Sequence, residues 1–303
     1  MLTRISLIDA NHLALKLDRM NRLIFDDATG WLRNKNISRR TLTTFRTARP
    51  VSKKIVEADR VRLTKGIPAI SLAAKQWAGV GPYYAMMPTS FALQQIKHFT
   101  DQGDVVLDPF CGRGTVPFAA AALGRSFFGI EIFPVGWVYS ATKCNPASQV
   151  RVERRLEEIA KLKPSLLEDS EFFRMAYAPK TLQFLCAARQ YLDWQNNQTD
   201  RTLMALILVC LHDKTGAGLS NQMRQTKAVH PTYAVRWWKR HRKSTPPDID
   251  PVEMMKLKIK WRYAKGVLDL DSTGKIYLGD CTRILPRASR IANVKLLLTS
   301  LKT

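Results

Sequence analysis

The most constraining feature of this chain is the segment at 104–115, which reads Asp-Val-Val-Leu-Asp-Pro-Phe-Cys-Gly-Arg-Gly-Thr. An apolar run leads into a turn with two glycines and then into an alanine-rich stretch that begins near Val116, an order that predicts a strand, a turn and a helix. Glycine is needed where the backbone approaches a ligand too closely for a Cβ atom, and Gly112 and Gly114 meet that need. The first N–H groups of the helix add hydrogen-bond donors. The segment therefore predicts the nucleotide-like cofactor site of an α/β protein.

An acidic residue follows the next predicted strand. The apolar run at 126–130 ends at Glu131, about twenty residues after the glycine turn, where an acid usually accepts hydrogen bonds from both ribose hydroxyls. This spacing alone does not distinguish a dinucleotide site from an S-adenosylmethionine site. The residue types inside the motif are more specific than its spacing.

Residues 108–115 resemble the cofactor-binding motif of the DNA amino-methyltransferases, which modify N6 of adenine or N4 of cytosine. The upstream segment 87–104 is similar to the helix that precedes this motif in the family. Residues 278–281 resemble the segment whose acid meets the adenine of the cofactor, and residues 295–300 resemble the strand that enters the catalytic tetrapeptide. The resemblance covers roughly 83–145 and 276–300.

The resemblance implies S-adenosylmethionine as cofactor and assigns roles to particular residues. Asp108 corresponds to a position that touches the methionine part, with turn capping as the alternative. Ile132 and Phe133 correspond to residues that line the adenine pocket, with core packing as the alternative. Asp280 corresponds to the acid near adenine, unless it only caps the following helix. The expected cofactor-binding residues are Asp108, Phe110, Gly112, Gly114, Thr115, Glu131, Ile132 and Asp280.

The expected catalytic residue is Ser300, the first position of the tetrapeptide. In the family this position is Ser, Asp or Asn and is followed by two prolines and an aromatic residue, whereas here Leu301, Lys302 and Thr303 follow. We therefore expect a Rossmann-like methyltransferase sheet that is incomplete at its C-terminus, with a large helical insertion. Serine at this position favours cytosine-N4 as the target. A non-catalytic nucleic-acid-binding remnant and an RNA methyltransferase are the alternatives.

The charge balance indicates a polyanionic partner. The chain has 48 Lys and Arg against 25 Asp and Glu, a net charge of +23, which favours DNA. Residues 220–242 mix aromatic, amide and cationic side chains, a composition that suits phosphate contacts and base stacking. The alternative for Trp237 and Trp238 is that both pack in a core. The expected nucleic-acid-binding residues are Arg224, Lys227, Arg236, Trp237, Lys239 and Arg240, and the basic character continues at Lys256, Lys258, Lys260, Arg262 and Lys265.

Several functional classes are not indicated. The five cysteines form no Cys-x-x-Cys pair and have no neighbouring histidine at ligand spacing, so we expect neither a metal site nor a disulfide framework. The start of the chain does not read as a secretory signal. The longest apolar run, at 203–211, is about half of a membrane span. We expect a cytoplasmic protein.

The organisation along the chain suggests four regions. A basic N-terminal region at 1–75 is expected to be a DNA-contacting arm, a small helical module or simply a solvated basic face. The cofactor-binding half of the methyltransferase domain follows at 76–150. Residues 151–270 form a helical, basic insertion or target-recognition segment, and residues 271–303 return to the sheet.

Overall fold

A computed structural model of the chain describes the cofactor motif, the helical segment that follows it and most of the C-terminal part. The described residues are 68–81, 87–212, 218–221, 230–288, 291 and 293–300. Residues 1–67 of the predicted N-terminal region therefore lie outside the described residues, as do Arg224 and Lys227.

Helices alternate with short strands along the first part of the chain, and a run of helices separates the second strand from the third. The helices are α1 Leu72–Ala78, α2 Thr89–Phe99, α3 Thr115–Ala122, α4 Pro134–Cys144, α5 Gln149–Lys161, α6 Glu171–Ala176, α7 Pro179–Tyr191, α8 Gln198–Cys210, α9 Pro231–Arg240, α10 Pro251–Tyr263 and α11 Cys281–Ile284, with a 3₁₀ turn at Leu285–Arg287. The strands are β1 Val105–Asp108, β2 Ser126–Glu131, β3 Gly274–Leu278 and β4 Val294–Leu297.

The four strands of the described residues form one parallel sheet in the order β3-β2-β1-β4. This is the α/β, Rossmann-like arrangement that the cofactor motif predicts. The order reverses at β1, because the chain first proceeds outward to β2 and β3 and then returns to place β4 on the other side. The late segment 293–298 therefore belongs to the same sheet as the glycine motif.

The sheet belongs to the first of two compact units, whose described residues fall within 68–70, 87–133 and 270–300. Its core is built from apolar side chains of β1, β2 and the segment around α11, among them Leu107, Ile130 and Leu285, all fully buried. Helix α3 is buried along almost its whole length and contacts β1, β2 and α2. Its alanines permit this, because small side chains let helix and strand backbones approach closely.

The second unit comprises residues 71–86 and 134–269, and its described residues contain helices but no strand. Its main core joins α5, α7, α8 and α10, and residues at helical spacing on α5 face it, namely Val152, Leu156 and Ile159. A second cluster surrounds Trp238 of α9, which packs with Met175 and Ala176 of α6. The main core thus joins helices of the segment for which the sequence predicts a helical insertion.

Helix starts in the second unit follow simple capping rules. Asn197 caps α8 by accepting from the N–H groups of Thr199 and Asp200 at 2.8 and 3.1 Å, and Asp250 caps α10. Proline occupies the first turn of α7, where its missing N–H is harmless. These caps fix where the helices begin without needing contacts from other elements.

A glycine in β2 sets the distance between the sheet and its neighbours. A Cβ atom at Gly129 would lie 2.7 Å from Ile276 Cδ1, 3.0 Å from Pro117 Cγ and 3.1 Å from Cys111 Sγ. We expect Gly129→Ala to lower the free energy of unfolding by about 1–3 kcal/mol, because overpacking forces neighbours apart. Urea unfolding measures this.

The matched control is Gly79→Ala, where a Cβ atom would meet its nearest neighbour at 3.8 Å and φ is negative. The control variant should unfold at nearly the same urea concentration as the parent protein. Equal midpoints for both variants would show that the sheet accommodates a methyl group at Gly129.

Candidate functional site

Three of the predicted site residues lie at the carboxyl ends of neighbouring strands. Asp108 is the last residue of β1, Glu131 is the last residue of β2, and Asp280 follows β3 by two residues. Ser300 lies three residues beyond β4. Because the carboxyl ends of parallel strands lie at one edge of the sheet, these residues share the edge where open α/β sheets bind ligands.

Backbone hydrogen bonds continue beyond the strands and hold this edge together. Cys111 N donates to Ile130 O at 2.9 Å, and Gly279 N donates to Glu131 O at 2.9 Å. On the other side of β1, Leu298 N donates to Leu107 O at 3.0 Å. The loops that carry the candidate residues are thereby anchored directly after each strand.

The glycine turn between β1 and α3 uses the conformational freedom of both its glycines. Gly112 has φ of 52° and Gly114 has φ of 77°, in the left-handed region that other residues enter only with strain. Gly114 N donates to Cys111 O at 2.7 Å, and Gly114 stands at the N-cap of α3, where it offers no side chain to the helix start. Thr115 begins the helix and is buried, and the half-buried Phe110 packs against the sheet core.

The carboxylate of Glu131 is hydrogen-bonded to the turn itself. Gly112 N donates to Oε2 at 2.6 Å, and Phe133 N donates to Oε1 at 2.9 Å. A carboxylate has about four lone-pair positions, so these two bonds leave capacity for two more donors. The side chain is buried and fixed in place by the same backbone groups that form the turn.

Two large apolar side chains beside Glu131 are exposed. Ile132 and Phe133 have 59% and 64% of their surface accessible, so neither packs in the core. Sequence reasoning left core packing open for both, and the structure excludes it. Exposed apolar side chains next to a buried carboxylate suit a pocket for a flat, weakly polar ring.

The Asp108 carboxyl has the most perturbed protonation equilibrium of this edge. Its side chain is 3% exposed, and its Oδ1 accepts from Phe110 N at 3.1 Å. Burial raises the pKa of Asp108 to about 7, and the nearby charge of Glu131 adds to the rise, while the Thr299 side chain and the Phe110 N–H oppose it. Asp108 therefore changes protonation state near neutral pH. Its carboxyl also caps the turn, because Oδ1 accepts from Phe110 N.

Asp280 caps α11, as the alternative interpretation predicts. Its Oδ1 accepts from Thr282 N at 2.9 Å and from Thr282 Oγ1 at 2.8 Å. In the described part of the chain both bonds fall on Oδ1, so capping leaves Oδ2 for another partner. Ser300 is exposed, and residues 301–303 lie outside the described residues.

Helix α9 carries the described part of the predicted nucleic-acid-binding residues. Arg236 and Arg240 are exposed, and Trp237 is partly exposed. Lys239 forms an ion pair with Glu171, with 2.6 Å between Nζ and Oε1. Trp238 is completely buried and stacks on Phe172 with ring centroids 5.7 Å apart. The two adjacent tryptophans thus have different roles, an outcome that neither sequence interpretation contained.

The basic character predicted for α10 is only partly at the surface, and here the sequence interpretation is corrected. Lys256 lies 3.3 Å from Glu157 and 3.4 Å from Glu253, which balance its charge. Arg262 is buried, donates to the Gln76 carbonyl and has its guanidinium 4.9 Å from the Trp261 ring centroid. Burial lowers the pKa of Arg262 to about 10. Arg262 therefore ties α10 to α1 instead of extending a basic surface.

Comparisons with known proteins concern the segment around the glycine motif. Residues 43–134, less than a third of the chain, match a family model described as DNA methylase. The resemblance to the DNA amino-methyltransferases is confirmed. The chain is also similar to the Type II methyltransferase M2.DpnII of Streptococcus pneumoniae, with 36% identity over 63 residues. That match covers 21% of this chain and 23% of the relative, so the chain spans about a quarter of the length of that relative. No solved structure matches the chain.

The described part of the chain contains neither a metal-binding cluster nor a membrane-spanning helix. Among those residues, no group of three or more His, Cys, Asp or Glu side chains is arranged to hold a metal ion. None of the described helices is long and apolar enough to cross a membrane.

The buried Asp108 predicts a specific pH dependence of stability. An unfolded aspartate ionises near 3.8, whereas the folded protein keeps this proton until about 7. Stability from the protonated form is therefore complete at low pH and is lost as pH rises from about 4 to about 7, by up to about 1.4 kcal/mol per unit. We expect Asp108→Asn to remove this loss, so that the variant matches the parent near pH 4 and is more stable at pH 8. Urea unfolding at both pH values tests this, and parallel pH profiles would contradict it.

The exposed arginines of α9 predict the salt dependence of DNA binding. If this face binds DNA, Arg236→Ala and Arg240→Ala should each weaken binding to a DNA duplex and reduce the slope of log K against log salt by about 1, since each would remove one phosphate contact. Fluorescence anisotropy over a salt series measures this. Arg154→Ala, which removes an exposed arginine from α5, is the matched control and should leave the slope unchanged. Identical slopes for all three variants would place the DNA contact elsewhere.

Proposed function

We propose that this chain binds S-adenosylmethionine and belongs to a DNA methyltransferase that transfers the methyl group to an exocyclic amine, N4 of cytosine or N6 of adenine. The observation that carries the proposal is the joint placement of the glycine turn and the Glu131 carboxylate at the carboxyl edge of the sheet. The match of residues 43–134 to the DNA methylase family supports the same chemistry.

The residues at this edge fit the proposed cofactor. The two remaining acceptor positions of Glu131 equal the number of vicinal ribose hydroxyls. The exposed Ile132 and Phe133 offer an apolar surface for the adenine ring, directly after the residue that would hold the ribose. Gly112 and Gly114 provide the close backbone approach at the start of α3. Each part of the adenosine thus has a matching group in adjacent residues.

Two aspartates would complete the cofactor site. Asp280 has Oδ2 to offer to the adenine amine while Oδ1 caps α11. Asp108 would face the methionine part, where its ionised form attracts an ammonium group. Phe110 and Thr115 would line the turn on either side of the glycines. The bound cofactor supplies an electrophilic methyl group on its sulfonium, and the residues named here bind and orient it.

The base amine needs positioning, because its lone pair is delocalised into the ring. An enzyme that methylates such an amine must take the base out of the duplex and align the amine with the methyl group. Ser300 stands beyond β4, the strand next to β1, and its hydroxyl would accept a hydrogen bond from the amine. The proposed target base lies on this side of the cofactor motif.

DNA is the proposed substrate because charge and surface chemistry agree. The net charge of +23 favours a polyanion, and the exposed Arg236 and Arg240 provide phosphate contacts. A DNA substrate in turn favours a cytoplasmic location. A second candidate is a nucleic-acid-binding protein without methyl transfer, favoured by Leu301 where the family has proline.

Calorimetric titration with S-adenosylmethionine tests the cofactor site. We expect saturable binding by the parent protein and at least tenfold weaker binding by Glu131→Ala, since the variant loses the ribose acceptor and also frees the Gly112 N–H. The control is Asp269→Ala, which removes an exposed acid from a loop and should leave affinity unchanged. A folded parent protein that fails to bind, or equal affinities for all three proteins, would refute the proposed site.

Methyl transfer from radiolabelled cofactor separates the candidate activities. Incorporation into duplex DNA supports the proposed function, and incorporation only into RNA identifies an RNA methyltransferase. Cofactor and DNA binding without incorporation supports the non-catalytic alternative. Ser300→Ala should reduce incorporation without changing cofactor affinity, because the hydroxyl is assigned to the base and not to the cofactor.

A further inference from the structure

The outward face of α9 combines aromatic and cationic side chains in a regular pattern. Tyr233, Arg236, Trp237 and Arg240 stand at positions i, i+3, i+4 and i+7, which share one face of a helix. The opposite face carries Ala234 and Trp238, which are buried, so the orientation of the helix is fixed. Tyr233 is 62% exposed although its ring is large and largely apolar.

A stacked ring pair extends this face past the end of the helix. The rings of Trp237 and His241 lie with centroids 4.3 Å apart and an interplanar angle of 23°. His241 Nδ1 lies 2.8 Å from the Trp237 carbonyl oxygen, which holds the imidazole over the indole. The ammonium of Lys243 is 5.8 Å from the indole centroid. The exposed imidazole is therefore the outer ring of a pre-arranged stack with a cation beside it.

Ring faces and cations recognise different parts of a nucleic acid. Cations bind phosphates in any nucleic acid, paired or unpaired. Ring faces bind the faces of bases, which neighbouring base pairs cover inside a duplex and which are open only in unpaired nucleotides. A surface built for duplex phosphates alone needs no exposed tyrosine and no stacked imidazole. The exposed aromatic rings of this face therefore favour unpaired nucleotides over a duplex.

We propose that the outward face of α9, defined by Tyr233, Arg236, Trp237, Arg240 and His241, binds a stretch of unpaired nucleotides. Bases stack on Tyr233 and on the outer ring of the Trp237–His241 pair, while Arg236 and Arg240 contact the phosphates between them. The two rings that take bases, Tyr233 and His241, are eight residues apart, a rise of about 12 Å along the helix, which is comparable to the reach of two extended nucleotides. The proposal rests on the proposed function for the nature of the substrate and specifies its unpaired form.

Fluorescence anisotropy with the full 303-residue chain tests this, using a labelled single-stranded 12-nucleotide DNA and a blunt duplex of the same sequence. We expect Tyr233→Ala and His241→Ala each to weaken single-strand binding about fivefold or more, the low end of what a base–ring stack contributes. Their duplex affinity should change less than twofold. Tyr233→Phe should bind like the parent protein because it keeps the ring.

Control variants separate stacking from charge. Arg236→Ala should weaken binding to both probes and lower the salt slope, whereas Tyr233→Ala should leave the slope unchanged. Trp261→Leu removes another exposed ring, which follows Lys260 on α10, and should change neither affinity. Equal losses on both probes, an equal effect of Trp261→Leu, or competition by polyglutamate as effective as that by the oligonucleotide would overturn the proposal.

The same protein samples distinguish failure of this inference from failure of the proposed function. If the parent protein binds S-adenosylmethionine but neither DNA probe, the inference and the DNA substrate fail together while the cofactor site stands. If it binds the single strand through the rings but not the cofactor, the inference stands and the methyltransferase proposal fails. Single-strand binding that tolerates loss of both rings would overturn the inference alone.

Discussion

The parallel pairing of β1 with β2 on one side and β4 on the other is the constraint on which the candidate site depends. Parallel strands must return through crossovers, so each carboxyl end lies at the same edge as the others. The glycine turn follows β1, Glu131 ends β2, and Ser300 lies just beyond β4. The strand order reverses at β1, which is the position where open α/β sheets generally bind ligands. A shift of β4 to another position would separate Ser300 from the cofactor motif.

Two buried carboxyl groups at this edge meet the cost of burial in different ways. Glu131 accepts from two backbone N–H groups, and this stabilises the turn as well as the carboxylate. Asp108 is buried with one backbone donor and has Glu131 nearby, so burial raises its pKa to about 7. Asp108 therefore changes protonation state near neutral pH, whereas the two backbone bonds of Glu131 fix the position of its side chain at the turn.

Sequence patterns predicted the strands, turn and helix of the site more reliably than they predicted which side chains are exposed on the helical unit. The strand, turn and helix at 105–122 lie where the apolar run and the glycines place them, because local conformational preferences and periodicity act over few residues. The surface depends instead on which helix packs against which. Trp237 and Trp238 look alike in the sequence, yet helical rotation buries Trp238 against Phe172 and leaves Trp237 partly exposed. Arg262 looks like its lysine neighbours but is buried under tryptophan rings.

The amino-acid sequence is enough to predict the α/β class, the glycine turn, the acid after β2 and the strongly basic character. Each of these depends on residue types at short spacing or on a sum over the chain. Packing between distant parts of the chain decided that β4 joins β1, that Ile132 and Phe133 are exposed, and which cations lie at the surface of α9 and α10. These outcomes depend on contacts between residues far apart in the chain, and desolvation and ion pairing at such contacts leave no local pattern in the sequence.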